Sequence, residues 1–243
     1  MAVSPPAQRE AFAGGDIRFD SAWLLAGALC GAALVLVEIV GLAVVYSSLP
    51  KPAGSAADLH QFLVQHQGAL RIHSLNAGLV SILLLWYAVT LGSFLRQGND
   101  IGGLGLLAVA GGAAQAVLHW VAATVLLLFP SAVTAWSDVD LRVPVGWMGV
   151  YLTFLAYPAI AFAGAAGVRV VQTRLLPIWL GWLGIGVALA ELVTVVGGSL
   201  ARSGSLANGG TFGLLSFALW MLWILATSIA LTRCILADGV SRR

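Results

Sequence analysis

The chain reads as an all-α, polytopic integral membrane protein: six transmembrane helices plus a short amphipathic helix on the outer surface. Three observations predict this. Sixty per cent of the 243 residues are hydrophobic and nine per cent are charged, where a soluble domain carries about 25% charged residues. Mean hydropathy is +0.95. The apolar residues also form continuous runs of the roughly 20 residues that a helix needs to cross hydrocarbon. Membrane barrels are built instead from short alternating strands.

Each element has its own signal. Residues 1–20 are a polar tail containing Pro and Gly, and Asp20-Ser21 offers an N-cap to the first span, Ala22–Tyr46. That span exceeds the apolar stretch of a signal peptide, so it is expected to be an anchor. Pro50-Lys51-Pro52 ends it. Ala56–Gln67 follows with Leu59, Phe62 and Leu63 at helical spacing, the pattern of a helix lying on the membrane surface. The second span, Leu70–Leu95, is interrupted near its start by Arg71 and His73, and Arg96–Asp100 makes a tight turn. Ile101–Phe129 is the third span. Pro130–Pro144, with Trp136, Asp138, Asp140 and Arg142, reads as a polar connection of lid size. Val145–Val170, Pro177–Leu200 and Phe212–Ile235 complete the set, with Arg174 and Pro177 marking one turn and Ser203–Gly210 a flexible loop.

The organisation is thus one transmembrane domain, residues 21–235, between tails 1–20 and 236–243. No internal repeat relates residues 22–129 to 145–235, which disfavours an inverted-repeat transporter. With the N-terminus inside, the cytoplasmic side holds Arg9, Arg18, Arg96, Arg169, Arg174, Arg233, Arg242 and Arg243. The outer side holds Lys51, Arg71, Arg142 and Arg202. The bias predicts a multi-pass cell-membrane protein with both termini cytoplasmic. The net charge of +2 follows from that topology and suggests no nucleic acid partner. Cys30 and Cys234 lack any CxxC or haem-attachment context and read as small packing residues.

Glu38 and Glu191 stand out as the two carboxylates inside spans, the other acidic residues falling in tails or connections. Ionisable side chains in hydrocarbon cost several kcal/mol unless they pair or face a cavity, and so mark sites or helix locks. Glu38 lies two turns beyond the Gly27/Gly31 pair, and Glu191 lies midway between Gly184 and Gly198, so both belong to faces that pack against other helices. Gln115 and His119 share a stripe with Gly111 on the third span, and His73 and Asn76 share a face of the second. Counting from the helix ends, Glu38 and Glu191 are each about 12 Å below the outer boundary, His119 about 15 Å and Asn76 about 9 Å. The expectation is an outward-opening polar pocket lined by the first, second, third and fifth spans.

A buried carboxylic acid is a general-acid candidate, because apolar surroundings disfavour its charged form. Glu38, Glu191 and His119 are therefore the candidate catalytic residues. His73, Asn76, Gln115, Trp120, Tyr151, Tyr157, Trp182, Phe217 and Trp220 are the candidate substrate-binding residues, the aromatic faces suiting an extended apolar or cationic species. These parts suit an enzyme acting on a lipid-soluble, isoprenoid-like substrate by proton-initiated cyclisation or isomerisation. No DDxxD segment is present to hold a diphosphate-bound magnesium, and no cofactor or metal is expected. Two alternatives use the same residues: a small transporter or proton conductor on Glu38 and Glu191, and a haem- or metal-binding subunit with His73 and His119 as axial ligands. Partners are expected to be a lipid-soluble small molecule, membrane lipid or another membrane subunit. A retinal protein is disfavoured, since Lys51, the only lysine, lies outside the spans.

Overall fold

The computed structural model describes residues 21–45, 56–97, 102–132, 138–201, 204–206 and 210–241. Among them are seven helices: α1 (Ser21–Val45), α2 (Ala56–Gln65), α3 (Gln67–Leu95), α4 (Leu104–Ala132), α5 (Asp138–Thr173), α6 (Ile178–Leu200) and α7 (Thr211–Ser241). All but α2 are long and apolar enough to cross a membrane. The tails 1–20 and 242–243 lie outside the described residues, as do Pro50-Lys51-Pro52 and residues 133–137 with Trp136.

The spans pack as a closed ring in the order α1, α3, α4, α5, α6, α7 and back to α1, with α3 also touching α5 across the middle. Without a hydrophobic force between helices in lipid, close backbone approach and buried hydrogen bonds must hold such a ring. Both are present. Ser74 Oγ donates to the Ala123 carbonyl at 2.7 Å and Ser81 Oγ to the Ala116 carbonyl at 2.6 Å, which fixes α3 antiparallel to α4. Ser228 Oγ donates to the Ala28 carbonyl at 2.7 Å and ties α7 to α1. Gly31 on α1 faces Ser228 and the Tyr87 ring, so close that a Cβ would lie 2.6 Å from a ring carbon. Gly27 faces Thr90 and Trp86 of α3 in the same manner.

The middle of the ring is filled by three aromatic rings from alternate helices. Phe162 of α5 meets Tyr87 of α3 edge-on at 6.1 Å and Trp223 of α7 edge-on at 5.3 Å. Their polar ends are satisfied locally. The Tyr87 hydroxyl shares a hydrogen bond with Thr227, and Trp223 Nε1 donates to the Leu180 carbonyl at 3.2 Å. Leu34, Leu84, Leu91 and Ile224 complete a dry core around them. The opposite faces of the helices carry Leu29, Leu36, Leu75, Ile82, Leu189 and Leu222 outward, an apolar exterior suited to lipid.

One sequence expectation is corrected. Most of the Pro130–Pro144 connection is helical, since α4 continues through Ala132 and α5 begins at Asp138. The Asp138-Val139-Asp140 segment opens α5. α2 packs on the end of the bundle: Leu63 is fully buried with Leu70, Leu126 and Phe129, Phe62 packing beside them. A single residue, His66, separates α2 from α3, too short a link for α2 to lie away from the bundle. The His66 N–H and ring both reach the Phe62 carbonyl, at 3.0 and 2.9 Å.

Candidate functional site

Glu38, His119 and Glu191 lie at one level. Gly31, Gly111 and Gly184 each touch the aromatic layer, at Tyr87, Phe162 and Trp223 respectively. The three ionisable residues follow those glycines by seven or eight residues on parallel helices, so each stands about 10–12 Å beyond the layer toward the α2 end. The aromatic plug closes the bundle on one side of this level.

On that level the structure brings Glu38 and His119 together across the ring. His119 Nε2 lies 3.8 Å from Glu38 Oε1, with the two side chains 9% and 14% exposed. His119 Nδ1 is 2.9 Å from the backbone carbonyl of Gln115. A carbonyl only accepts, so Nδ1 carries the hydrogen and the neutral ring turns its Nε2 lone pair to the carboxyl group. One proton can then reside on either partner: carboxyl beside imidazole, or carboxylate beside imidazolium. Tyr151 from α5 sets its ring edge-on to His119 at 6.3 Å, and its hydroxyl is within electrostatic reach of Glu38.

Polar groups from α3 and α4 surround the pair. His73 is close enough to His119 for their charges to interact. The Asn76 carboxamide packs on Gly41, one turn beyond Glu38, where a Cβ would lie 2.9 Å from Asn76 Cγ. Gln115, one turn before His119, is 4% exposed. Its Oε1 and the Nδ1 of His73 are buried without a hydrogen-bond partner. Buried polar atoms are nearly always paired, and Trp86 Nε1, Thr90 Oγ1, Ser216 Oγ and Trp220 Nε1 are likewise unpaired elsewhere in the bundle.

The remaining candidates fall elsewhere. Glu191 is buried on α6 but faces Ser216 of α7, without the geometry of a full hydrogen bond. The site around Glu38 is therefore built from the first four spans, Tyr151 supplying the fourth, and Glu191 belongs to the α6–α7 side. Trp120, Tyr157 and Trp182 are 44%, 53% and 60% exposed on the outside of the bundle, and so do not line the site. Successive helical residues are 100° apart, so Trp120 cannot share the His119 direction. Tyr157 is likewise displaced from the buried Ala156, Ala159 and Ala163, and Trp182 from the buried Gly181. Trp220 is buried in the core with Phe217 stacked on it at 6.1 Å.

Two residues escaped the sequence reading. Ser216 is 1% exposed beside Glu191, and only its place in mid-span hinted at it. Arg169, counted there as a cytoplasmic charge, is 4% exposed, and its Nε donates to the Leu95 carbonyl at 2.9 Å. It thereby caps the C-terminus of α3, where unpaired carbonyls attract a cation. At the α5–α6 turn, Arg174 adopts φ 55°, a left-handed cap conformation, beside an open depression of about 630 Å³ lined by residues 174–178. That depression is some 23 residues along α5 from Tyr151, at the far end of the bundle.

His119 Nδ1 lies against the Gln115 carbonyl, and Nε2 faces Glu38. Among the described residues, no group of three or more His, Cys, Asp and Glu gathers as a metal site. Fold and site together define a polytopic helical membrane protein with a buried carboxyl–imidazole pair. Comparison with models of protein families, with curated proteins and with solved structures returns no match.

Proposed function

We propose that the chain is a membrane-embedded enzyme that moves a double bond in a lipid-soluble substrate by adding a proton at one carbon and removing one from another. The single observation that carries the reading is the Glu38–His119 pair, 3.8 Å apart and held with the imidazole lone pair toward the acid. Glu38 delivers its proton to one carbon of the substrate, leaving a carboxylate. The cation forms on the adjoining carbon, and His119 Nε2 removes a proton from the carbon on the far side of that centre and becomes imidazolium, so the double bond moves by one position. The proton then passes from Nε2 back to Glu38, and the site is restored with no net gain or loss of protons. No cofactor is required. Geometry before proton affinity is the first requirement on such a pair, and the two groups face each other at 3.8 Å.

Isomerisation is favoured over cyclisation because Trp120, Tyr157 and Trp182 look outward, leaving Tyr151 as the aromatic ring at the pair. Isoprenoids remain the best-suited substrate class: they are lipid-soluble and rich in protonatable double bonds. With both termini in the cytoplasm, as the charge bias predicts, the pair lies on the outer side of the aromatic layer.

The test is purified protein in nanodiscs, incubated in heavy water with a panel of isoprenoid alkenes and followed by mass spectrometry. Deuterium entry into a substrate, lost in Glu38→Gln and in His119→Gln while both variants remain folded, supports the reading. Exchange that survives either substitution sinks it. A second carboxyl at the same level, Glu191, favours one alternative, a small proton conductor. Internal acidification of liposomes that depends on Glu38 and Glu191, with no deuterium entry, would replace the enzyme by that conductor.

A further inference from the structure

The unpaired Oε1 of Gln115 narrows what the site binds. Its Oε1 is buried without a partner on a side chain that is 4% exposed. The rest of the residue is held fast. Its backbone carbonyl receives His119 Nδ1 at 2.9 Å, and the next residue's carbonyl receives Ser81 at 2.6 Å. Gly111, one turn earlier on the same stripe, touches the Phe162 backbone. Gln115 thus lies between the aromatic plug and the acid–base pair, about 6 Å deeper than His119 along α4. A carbonyl-type oxygen is an acceptor only, so the group that satisfies it must bring an O–H or N–H.

We infer that the ligand of this pocket is a lipophilic alcohol whose hydroxyl donates to Gln115 Oε1, about one helical turn from the carbon that exchanges protons at Glu38 and His119. The inference deepens the proposed reaction and rests on that reading for the position of the reacting carbon. The hydroxyl assignment rests on Gln115 alone. Burying a polar oxygen without a partner is costly, and a site built to receive a donor rejects the analogue that lacks it. The alcohol is therefore distinguished from a plain hydrocarbon or an ether of equal length. His73, toward the α2 end, offers a further unpaired nitrogen at Nδ1 to a polar group near the mouth of the pocket.

Farnesol and its methyl ether form a matched probe pair, differing in the one donor hydrogen. Saturable binding of each is measured by native mass spectrometry of the full chain in nanodiscs. Wild type is expected to bind the alcohol at least tenfold more tightly than the ether, the size of one well-placed hydrogen bond. Gln115→Leu, of similar volume, is expected to erase the preference. Without ligand, Gln115→Leu should melt no lower than wild type, because it removes an unpaired buried atom. Equal binding of the two probes, no saturable binding of either, or a preference that survives Gln115→Leu overturns the inference. A lower melting temperature for ligand-free Gln115→Leu does so too, since it would mean that a resident group already satisfies Oε1. An alcohol preference without any deuterium exchange leaves the ligand class standing and removes the proposed reaction.

Discussion

Alanine at Gly167 should pry α5 from α6, and the structure says by how much. A Cβ at Gly167 would lie 2.7 Å from the Gly181 carbonyl oxygen and 2.8 Å from the Ile185 backbone nitrogen. The approach is reciprocal, since a Cβ at Gly181 would lie 2.8 Å from the Gly167 carbonyl oxygen. Both obstacles are backbone, so no rotamer change relieves them. Ordinary contact begins at 3.4 Å, and the two helices must separate by about 0.7 Å at the crossing. Overpacking of this kind costs about 1–3 kcal/mol, offset by about 0.5–1 kcal/mol from the better helix propensity of alanine. Gly167→Ala is therefore expected to be destabilised by roughly 0.5–2 kcal/mol. Gly186 on the same α6 helix is the internal control, with no atom within 4 Å of a Cβ there. Gly186→Ala should gain about 0.5–1 kcal/mol. The assay is reversible unfolding by SDS in mixed micelles, read by near-ultraviolet circular dichroism. Equal stabilities for Gly167→Ala and Gly186→Ala would refute the view that this seam rests on backbone contact.

Three further outcomes are expected. Ser81→Ala removes a buried 2.6 Å hydrogen bond to the Ala116 carbonyl and should cost about 1 kcal/mol in the same assay, with no loss indicating that water or a neighbour takes its place. Trp223→Ala empties a site that is 1% exposed and should cost about 3–5 kcal/mol, whereas Trp182→Ala, 60% exposed toward lipid, should stay within about 0.5 kcal/mol; a similar loss for both would contradict the inside–outside assignment. Glu38→Gln and His119→Gln should be non-additive in a double-mutant cycle by about 0.5–3 kcal/mol, and strict additivity would mean that the two side chains do not interact.

The six spans were legible because their signal is local. Twenty or so consecutive apolar residues need no partner to declare a crossing helix, and the expected ends of α3 and α6 coincide with Leu95 and Leu200. The inward direction of Glu38 was legible for a related reason. Seven residues are nearly two full turns, so Gly31 pointing at Tyr87 carries Glu38 toward the same interior. The Pro130–Pro144 connection was less legible, since prolines and charges there signal a loop while the helices on both sides extend into it. The cap made by Arg169 was not legible, because a cation near a span's end looks like a topology marker alone until the Leu95 carbonyl is seen beside it.

The sequence by itself determined the number of spans, their approximate limits and the common level of Glu38, His119 and Glu191. Periodicity and the fixed rise of the helix carry that information along one strand of chain. Only the tertiary structure decided that Glu38 meets His119 while Glu191 meets Ser216, and that Tyr151 joins the site as Trp120 leaves it. Those choices depend on which helices become neighbours in the ring and on how each is rotated about its axis. In a chain apolar on every side, rotation is set by glycine contacts and serine hydrogen bonds between helices far apart in sequence, as at Gly31 with Ser228 and at Ser81 with Ala116.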